Sequence, residues 1–256
     1  FSADKIHLSG QCFRWEKRKD GSFLIPAFGK ELVLFQETDT KIYLDCTEED
    51  FNDLWRDYFD LSFDYKSHAE KAAGAIGSDY LSAACQSAKG VRILKQELWE
   101  TTVSFIVSAN NNIPRIRKIL AAICEPFGRF PSAQELYSMG EQRIRQCGVG
   151  YRDKYLMSTA KFFIEKDVKK EVSGLSYNEA KAYLQKLSGV GPKVSDCISL
   201  FSLGYKDAFP RDVWIKRIEK EYFDGRFPEE KSLDGAGVLQ QYLFYYERSL
   251  NEALEV

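Results

Sequence analysis

The spacing of apolar residues changes along this chain, and the change limits the folds open to it. In CFRWEKRKDGSFLIPAF apolar positions alternate around Asp20-Gly21, a dipeptide that signals a hairpin turn. ELVLFQETDTKIYLDC reads as a second strand pair. In TEEDFNDLWRDYF the period becomes helical. Phe51, Leu54, Trp55, Tyr58 and Phe59 share one face, and Thr47 and Asp50 have capping-box spacing. From about residue 66 the pattern is helical almost throughout. The fold class read from this is α+β, with an antiparallel sheet and packed helix over residues 1–80 and a mostly helical core over residues 81–256. No low-complexity linker divides the chain, so the core is expected as two subdomains flanking a cleft.

Within the helical part, KQELWETTVSFIVSA reads as a buried helix stopped by Asn110, Asn111 and Asn112, and PRIRKILAAICEPFG as the next. Ser176 and Glu179 form a capping box that opens YNEAKAYLQKL. Pro192 suits the first turn of the following helix, with Gly204 as its C-cap.

Charge excludes little. The 256 residues carry 36 basic and 38 acidic side chains, so a nucleic-acid partner would need a local basic face or backbone amides. The 44% apolar content is enough for a packed core. No apolar run reaches the roughly 18 residues that span a membrane. The opening FSADKIHLSG lacks a signal peptide's apolar segment, and the missing initial methionine reads as a trimmed start. The six cysteines are scattered without a C-x-x-C pair, so they read as reduced thiols of an intracellular protein. Zinc and iron–sulfur sites need clustered thiolates, and only His7 and His68 could supply imidazole, so no metal or other cofactor is expected.

Two turns share a Gly-Val-Gly core, CGVGYRDKYL and SGVGPKVSDC. Glycines let amides approach an anion, and a helix N-terminus favours one, although both turns also fit ordinary helix–helix connections. The second delivers Lys193 to a helix start, where the dipole disfavours a cation and where Cys197 and Leu200 make its face apolar. Most lysines are solvated surface charges, so this placement is unusual. A neutral amine is a nucleophile that can form a Schiff base with a sugar carbon. Asp212 follows AFPR and reads as the cap of VWIKRI. A capping aspartate can still direct its second oxygen at a positive charge developing on a sugar.

The run LSGVGPK…AFPRD resembles the helix-hairpin-helix-Gly/Pro-Asp superfamily of base-excision DNA glycosylases, with the hairpin at about residues 177–203. Four further blocks, SGQCFRW, GVRILKQ, SFIVSANNNIPRI and CGVGYRDKY, extend the resemblance over nearly the whole chain, and to the 8-oxoguanine DNA glycosylases in particular. The resemblance implies removal of 8-oxoguanine from double-stranded DNA, opposite cytosine, by base flipping, followed by β-elimination. It implies Lys193 as nucleophile and Asp212 as the essential carboxylate. For the base pocket it implies Gly10, whose carbonyl accepts from the N7–H of the lesion, with Cys197, Phe201, Gln240 and Phe244. For the opposite base and the DNA backbone it implies Asn110, Arg115, Tyr151, Arg152, Gly189, Gly191, Val194 and Trp214. It further implies a structural cation on the carbonyls of Gln185, Leu187 and Val190. A monomer acting on chromosomal DNA, in nucleoid or nucleus, is expected.

Taken alone, these residues have plainer readings: Asn110 as a helix cap, the arginines as surface charges, Phe244 as core. The basic run Arg115, Arg117 and Lys118 reads as a source of phosphate contacts. Trp214 stands where relatives often carry histidine, and Phe201 where they often carry methionine. Two other readings remain open: a glycosylase for another damaged base, and a hairpin module that binds DNA without chemistry.

Overall fold

The computed structural model describes residues 1–251. Helix α1 (Ala3–Leu8) opens the chain, capped by Ser2, and its six residues leave little periodicity to detect in sequence. Strands β1 (Glu16–Lys17), β2 (Phe23–Ala27), β3 (Lys30–Thr38) and β4 (Lys41–Asp45) form an antiparallel meander in the order β1-β2-β3-β4. The register places Phe23 against Leu34 and Ile25 against Leu32, and all four side chains are buried. Gly21 takes a positive φ in the β1–β2 turn, as the Asp-Gly signal predicts.

Helix α2 (residues 48–58, with a π-helical stretch at Phe51–Trp55) covers the sheet through Trp55 and Tyr58, with Phe59 just beyond its end. Only half of the expected capping box forms. The Thr47 hydroxyl accepts from the Asp50 amide at 3.1 Å, but the Asp50 carboxylate pairs with Lys30 across on the sheet. A nearby cation has displaced the reciprocal bond.

The remaining helices are α3 (Tyr65–Ile76), α4 (Asp79–Ser87), α5 (Leu98–Ser108), α6 (Ile113–Cys124), α7 (Ala133–Ile144), α8 (Asp153–Glu165), α9 (Val168–Val172), α10 (Tyr177–Leu184), α11 (Pro192–Phe201), α12 (Val213–Tyr222) and α13 (Ala236–Asn251). Helix α5 is the hub, since every residue from Leu98 to Val107 except Glu100 is buried. It packs on α6, α8 and α11. Helix α13 packs on α4, joining Leu239 and Leu243 to Leu81 and Ala84. Each fully buried leucine there contributes roughly 1.5–3 kcal/mol. The Ser176–Glu179 box closes in both directions. Helix α11 ends at Phe201 and is capped by Ser202, so Gly204 is not its C-cap; its positive φ serves the turn two residues later. Among the described residues, no helix is long and apolar enough to cross a membrane.

Candidate active site

Helices α10 and α11 are joined by the turn 185–191, in which the Val190 amide donates to the Leu187 carbonyl at 3.1 Å. Gly189 has φ +83, and a Cβ there would come within 2.9–3.0 Å of the Tyr155 ring, so this corner admits only glycine. The hairpin is tied to α8, because the Thr159 hydroxyl donates to the Ser188 carbonyl at 3.2 Å and the Ser158 and Ser188 hydroxyls lie 2.9 Å apart. Gly191 caps α11 without a side chain, and the space beside it is open. The first amides of α11 therefore receive no side-chain cap and have no acceptor within the helix. The Val194 side chain packs inward, so only its backbone is available at the turn.

Lys193 enters on the first turn of α11. Its ammonium lies 5.4 Å from the centroid of Phe105, and Phe105 stacks on Phe201 at 5.4 Å and 13°. Cys197, one turn on, is buried, and that burial pushes its thiol up to about 11 against the pull of Lys193. It is an inert neighbour rather than a second nucleophile.

Asp212 caps α12, with Oδ1 accepting from the Ile215 amide at 2.9 Å. Burial raises its carboxyl above the usual carboxylate range, opposed by the Ile215 amide and the Lys193 charge. Arg211 anchors the loop that delivers it, reaching Glu219 at 2.9 Å and Glu229 at 2.5 Å.

Lys193 and Asp212 line one cleft of about 750 Å³ together with Gly10, Phe105, Asn110, Trp214 and Phe244. Sharing Gly10, Phe105, Lys193, Asp212 and Phe244 with it is a cavity of about 40 Å³, room for about one water molecule. The five residues expected at the base pocket, Gly10, Cys197, Phe201, Gln240 and Phe244, all line this cavity beside Lys193 and Asp212. Gly10 has φ +74, and a Cβ would meet Phe244 Cε1 at 3.0 Å and Ile113 Cδ1 at 3.2 Å. Gln240 donates through Nε2 to the Pro210 carbonyl at 3.1 Å, while its buried Oε1 has no partner among the described residues. A buried acceptor left unpaired costs about 1–3 kcal/mol, so this oxygen is poised for a donor from a guest.

The outer residues depart in part from the sequence reading. Asn112, not Asn110, caps α6, its Oδ1 accepting from the Arg115 amide at 3.0 Å. Asn110 is exposed with φ +52. Arg115 is exposed, but Arg117 turns inward. It donates to the His7 ring at 3.1 Å and to the His7 carbonyl at 2.9 Å, so the basic run is not three outward charges. Arg152 is no surface charge either. It is buried, donates to the Val149 and Ala109 carbonyls, and places its guanidinium 4.4 Å from the Tyr151 ring centroid. Tyr151 itself is 56% exposed, and Trp214 is half-buried in the cleft.

Phe105, Val213 and Arg248 are among the cleft residues that escaped sequence reasoning. Phe105 is indistinguishable by pattern from the rest of a helix apolar on every side. Val213, 78% exposed beside Asp212, carried a usable signal, because it follows a capping aspartate and precedes the buried face of α12.

A lysine and a carboxylate brought to one cleft by a helix-hairpin-helix and its following turn define a base-excision DNA repair fold. Residues 1–102 match the family model of the 8-oxoguanine DNA glycosylase N-terminal domain. Residues 103–231 match that of the HhH-GPD superfamily base excision DNA repair proteins. The chain belongs to the 8-oxoguanine DNA glycosylase family. The N-glycosylase/DNA lyase of Saccharomyces cerevisiae is 32% identical, with 83% of this chain and 65% of that protein covered. Among solved structures, MBOgg1 in complex with a low-affinity DNA ligand matches with TM-score 0.90 and 37% identity over 98% of this chain and 93% of that one. The Clostridium acetobutylicum 8-oxoguanine glycosylase/lyase, bound to duplex DNA with cytosine opposite 8-oxoguanine, matches with TM-score 0.88 and 32% identity over the same shares.

Proposed function

We propose that this protein excises 8-oxoguanine opposite cytosine from duplex DNA and then cleaves the strand at the resulting abasic site. The observation that carries the reading is the single cavity in which Lys193 and Asp212 meet Gly10, Cys197, Phe201, Gln240 and Phe244. The cavity is far too small for a purine, so a flipped base enters as Phe244 swings off Gly10 and stacks on it. The Gly10 carbonyl accepts from N7–H of the lesion, whereas undamaged guanine presents an acceptor there and is repelled. The orphaned Gln240 Oε1 accepts from the N–H donors on the Watson–Crick edge.

The Lys193 amine in its neutral form attacks C1′. The C1′–N9 bond breaks, its electron pair leaves with the base, and the base takes the proton released from the amine. The Asp212 carboxylate, still held by the Ile215 amide through one oxygen, stabilises positive charge at the sugar. The sugar ring opens as the second N–H proton passes to O4′, giving the Schiff base. Transfer of a C2′ proton to water forms the C2′–C3′ double bond and breaks the C3′–O bond, so the 3′-phosphate leaves with that electron pair, and water then hydrolyses the imine to free the lysine.

The amides at Gly189, Gly191 and Val194 hold the lesion strand's phosphate. A hard cation on the carbonyls of Gln185, Leu187 and Val190 would add fixed positive charge, and the Leu187 oxygen keeps one lone pair beyond its bond to Val190. Asn110, Tyr151 and Arg115 face the opposite strand, Trp214 flanks the lesion strand, and Arg152 reaches the estranged cytosine only by releasing the Val149 and Ala109 carbonyls. The protein acts as a monomer on chromosomal DNA.

The test is borohydride trapping on a duplex with one 8-oxoguanine opposite cytosine, with a G·C duplex as control. An adduct with wild type on damaged DNA only, and none with Lys193→Gln, supports the reading. Trapping undiminished by Lys193→Gln defeats the nucleophile assignment, and no adduct with intact binding points to another lesion or to a binding module.

A further inference from the structure

The segment entering the cavity is bound one carbonyl at a time. The His7 carbonyl accepts from Arg117 Nη2 at 2.9 Å, Leu8 from Arg248 Nη1 at 2.9 Å, Ser9 from Gln241 Nε2 at 2.5 Å, and Gln11 from Gln96 Nε2 at 2.8 Å. Only the Gly10 carbonyl in this run has no donor among the described residues. The Gln11 side chain is itself fixed, donating to Ser9 Oγ at 2.9 Å and to the Arg92 carbonyl at 2.8 Å, and accepting from the Leu94 amide at 2.8 Å.

We infer that Gln241, Arg117 and Arg248 are positioning residues for lesion recognition: they lock the carbonyls before Gly10, and so hold the one unpaired carbonyl at a fixed direction in the cavity. This deepens the proposed function and rests on it. The physical case has three parts. A carbonyl on a positive-φ glycine is otherwise free to rotate with its peptide plane, because glycine imposes little torsional restraint. Discrimination between N7–H and a bare N7 depends on the direction of one dipole, and a rotated carbonyl would neither accept well nor repel well. Long, costly side chains are also spent here in the interior: Gln241 is 2% and Arg248 8% exposed. One helix, α13, carries Gln240 toward the base, Gln241 to the Ser9 carbonyl, and Arg248 two turns later to the Leu8 carbonyl. The base-reading side chain and the supports of the base-reading carbonyl therefore move as one rigid element.

The experiment compares three rates for wild type, Gln241→Met, Arg117→Met and Arg117→Lys. They are 8-oxoguanine excision opposite cytosine, excision of 8-methoxyguanine, whose N7 bears no hydrogen, and strand cleavage at a preformed abasic site. Cleavage of the abasic site uses the lysine without reading a base. A positioning role lowers 8-oxoguanine excision by about 10- to 100-fold, narrows the preference over 8-methoxyguanine, and leaves abasic-site cleavage near wild type. Arg117→Lys then recovers part of what Arg117→Met loses. Unchanged preference in both methionine variants overturns the inference. If Gln241→Met loses all three rates together, the Arg117 pair decides, and parallel loss of all rates there as well means that these residues only hold the fold. A wild-type protein that cleaves abasic sites but leaves 8-oxoguanine in place defeats the proposed function itself, whereas wild-type excision with unaltered variants defeats the inference alone.

Discussion

The Lys193 ammonium rests 5.4 Å from the centroid of the Phe105 ring, and Phe105 is braced from behind by Phe201. The amine is thus located by an aromatic face as well as by its own helix. Such contacts contribute about 0.5–2 kcal/mol. Phe105→Leu keeps an apolar residue of similar size but removes the face. Borohydride trapping under single-turnover conditions is expected to slow by about 3- to 30-fold while duplex affinity holds. An unchanged trapping rate would show that α11 alone places the amine.

Asp212 caps α12, and the proposed mechanism adds a chemical role that substitution can separate from the cap. Asparagine caps a helix as well as aspartate does, so Asp212→Asn should unfold within about 0.5 kcal/mol of wild type. It should nevertheless lose at least about 100-fold in excision rate, because the charge is gone. Burial raises the folded carboxyl above its unfolded value. Ionisation therefore costs the folded state, and the cost appears only as pH rises past about 4. In the proposed mechanism activity has the opposite sense, since the ionised form is the working one. The excision rate should fall on the acid side at a pH above the ordinary carboxylate range, and that limb should vanish in Asp212→Asn. A pH profile of both proteins checks this.

Glu100 is the one charged interruption in the buried helix α5. It lies 2.6 Å from Arg14, yet its burial outweighs that pairing and pushes its carboxyl up to about 7. A carboxyl raised in the folded state favours folding below its unfolded value and loses that advantage as pH climbs toward 7. The loss is on the order of 3 kcal/mol between about pH 4.5 and 7. Denaturation of wild type and Glu100→Gln across this range should give a difference that changes with pH, with the variant flatter. Parallel curves would mean that Arg14 fully compensates the burial.

Gly189 meets the Tyr155 ring where no Cβ fits. Gly189→Ala should cost about 1–2 kcal/mol for the left-handed backbone alone, plus the displacement of the hairpin. Affinity for abasic duplex DNA should fall with it, by about tenfold or more. Adding Tyr155→Leu should restore part of the affinity, since it relieves the clash but not the backbone strain. Calorimetry and titration of the single and double variants distinguish these parts.

The sheet and most helices were legible because their signals are local. Thr47, Ser176 and Pro192 sit where caps and first turns require them, and Asp20-Gly21 turns the first hairpin. Lys193 stood out because a cation is disfavoured at a helix start, whereas Asp212 is an ordinary cap and was singled out only by its place after the hairpin. The losses share one cause, that side-chain direction is decided by partners distant in sequence. Arg117 finds His7 across 110 positions, and Arg152 finds Ala109 across 43. Neither arginine differs in sequence from a solvated one. Phe105 was hidden for the converse reason: a pocket wall and a core residue look the same until a polar group is seen against them.

Tyr155 also meets Tyr151 edge-on, with centroids 5.9 Å apart. One ring therefore sits between the hairpin and the residue expected to face the other strand. In the proposed complex these two contacts would act like the jaws of a caliper, their spacing set in the free protein by the packing of Tyr155. On that reading part of the deformation falls to the duplex. How readily a stretch of DNA kinks, including at steps the protein never touches, then enters the choice of substrate before any base edge is tested.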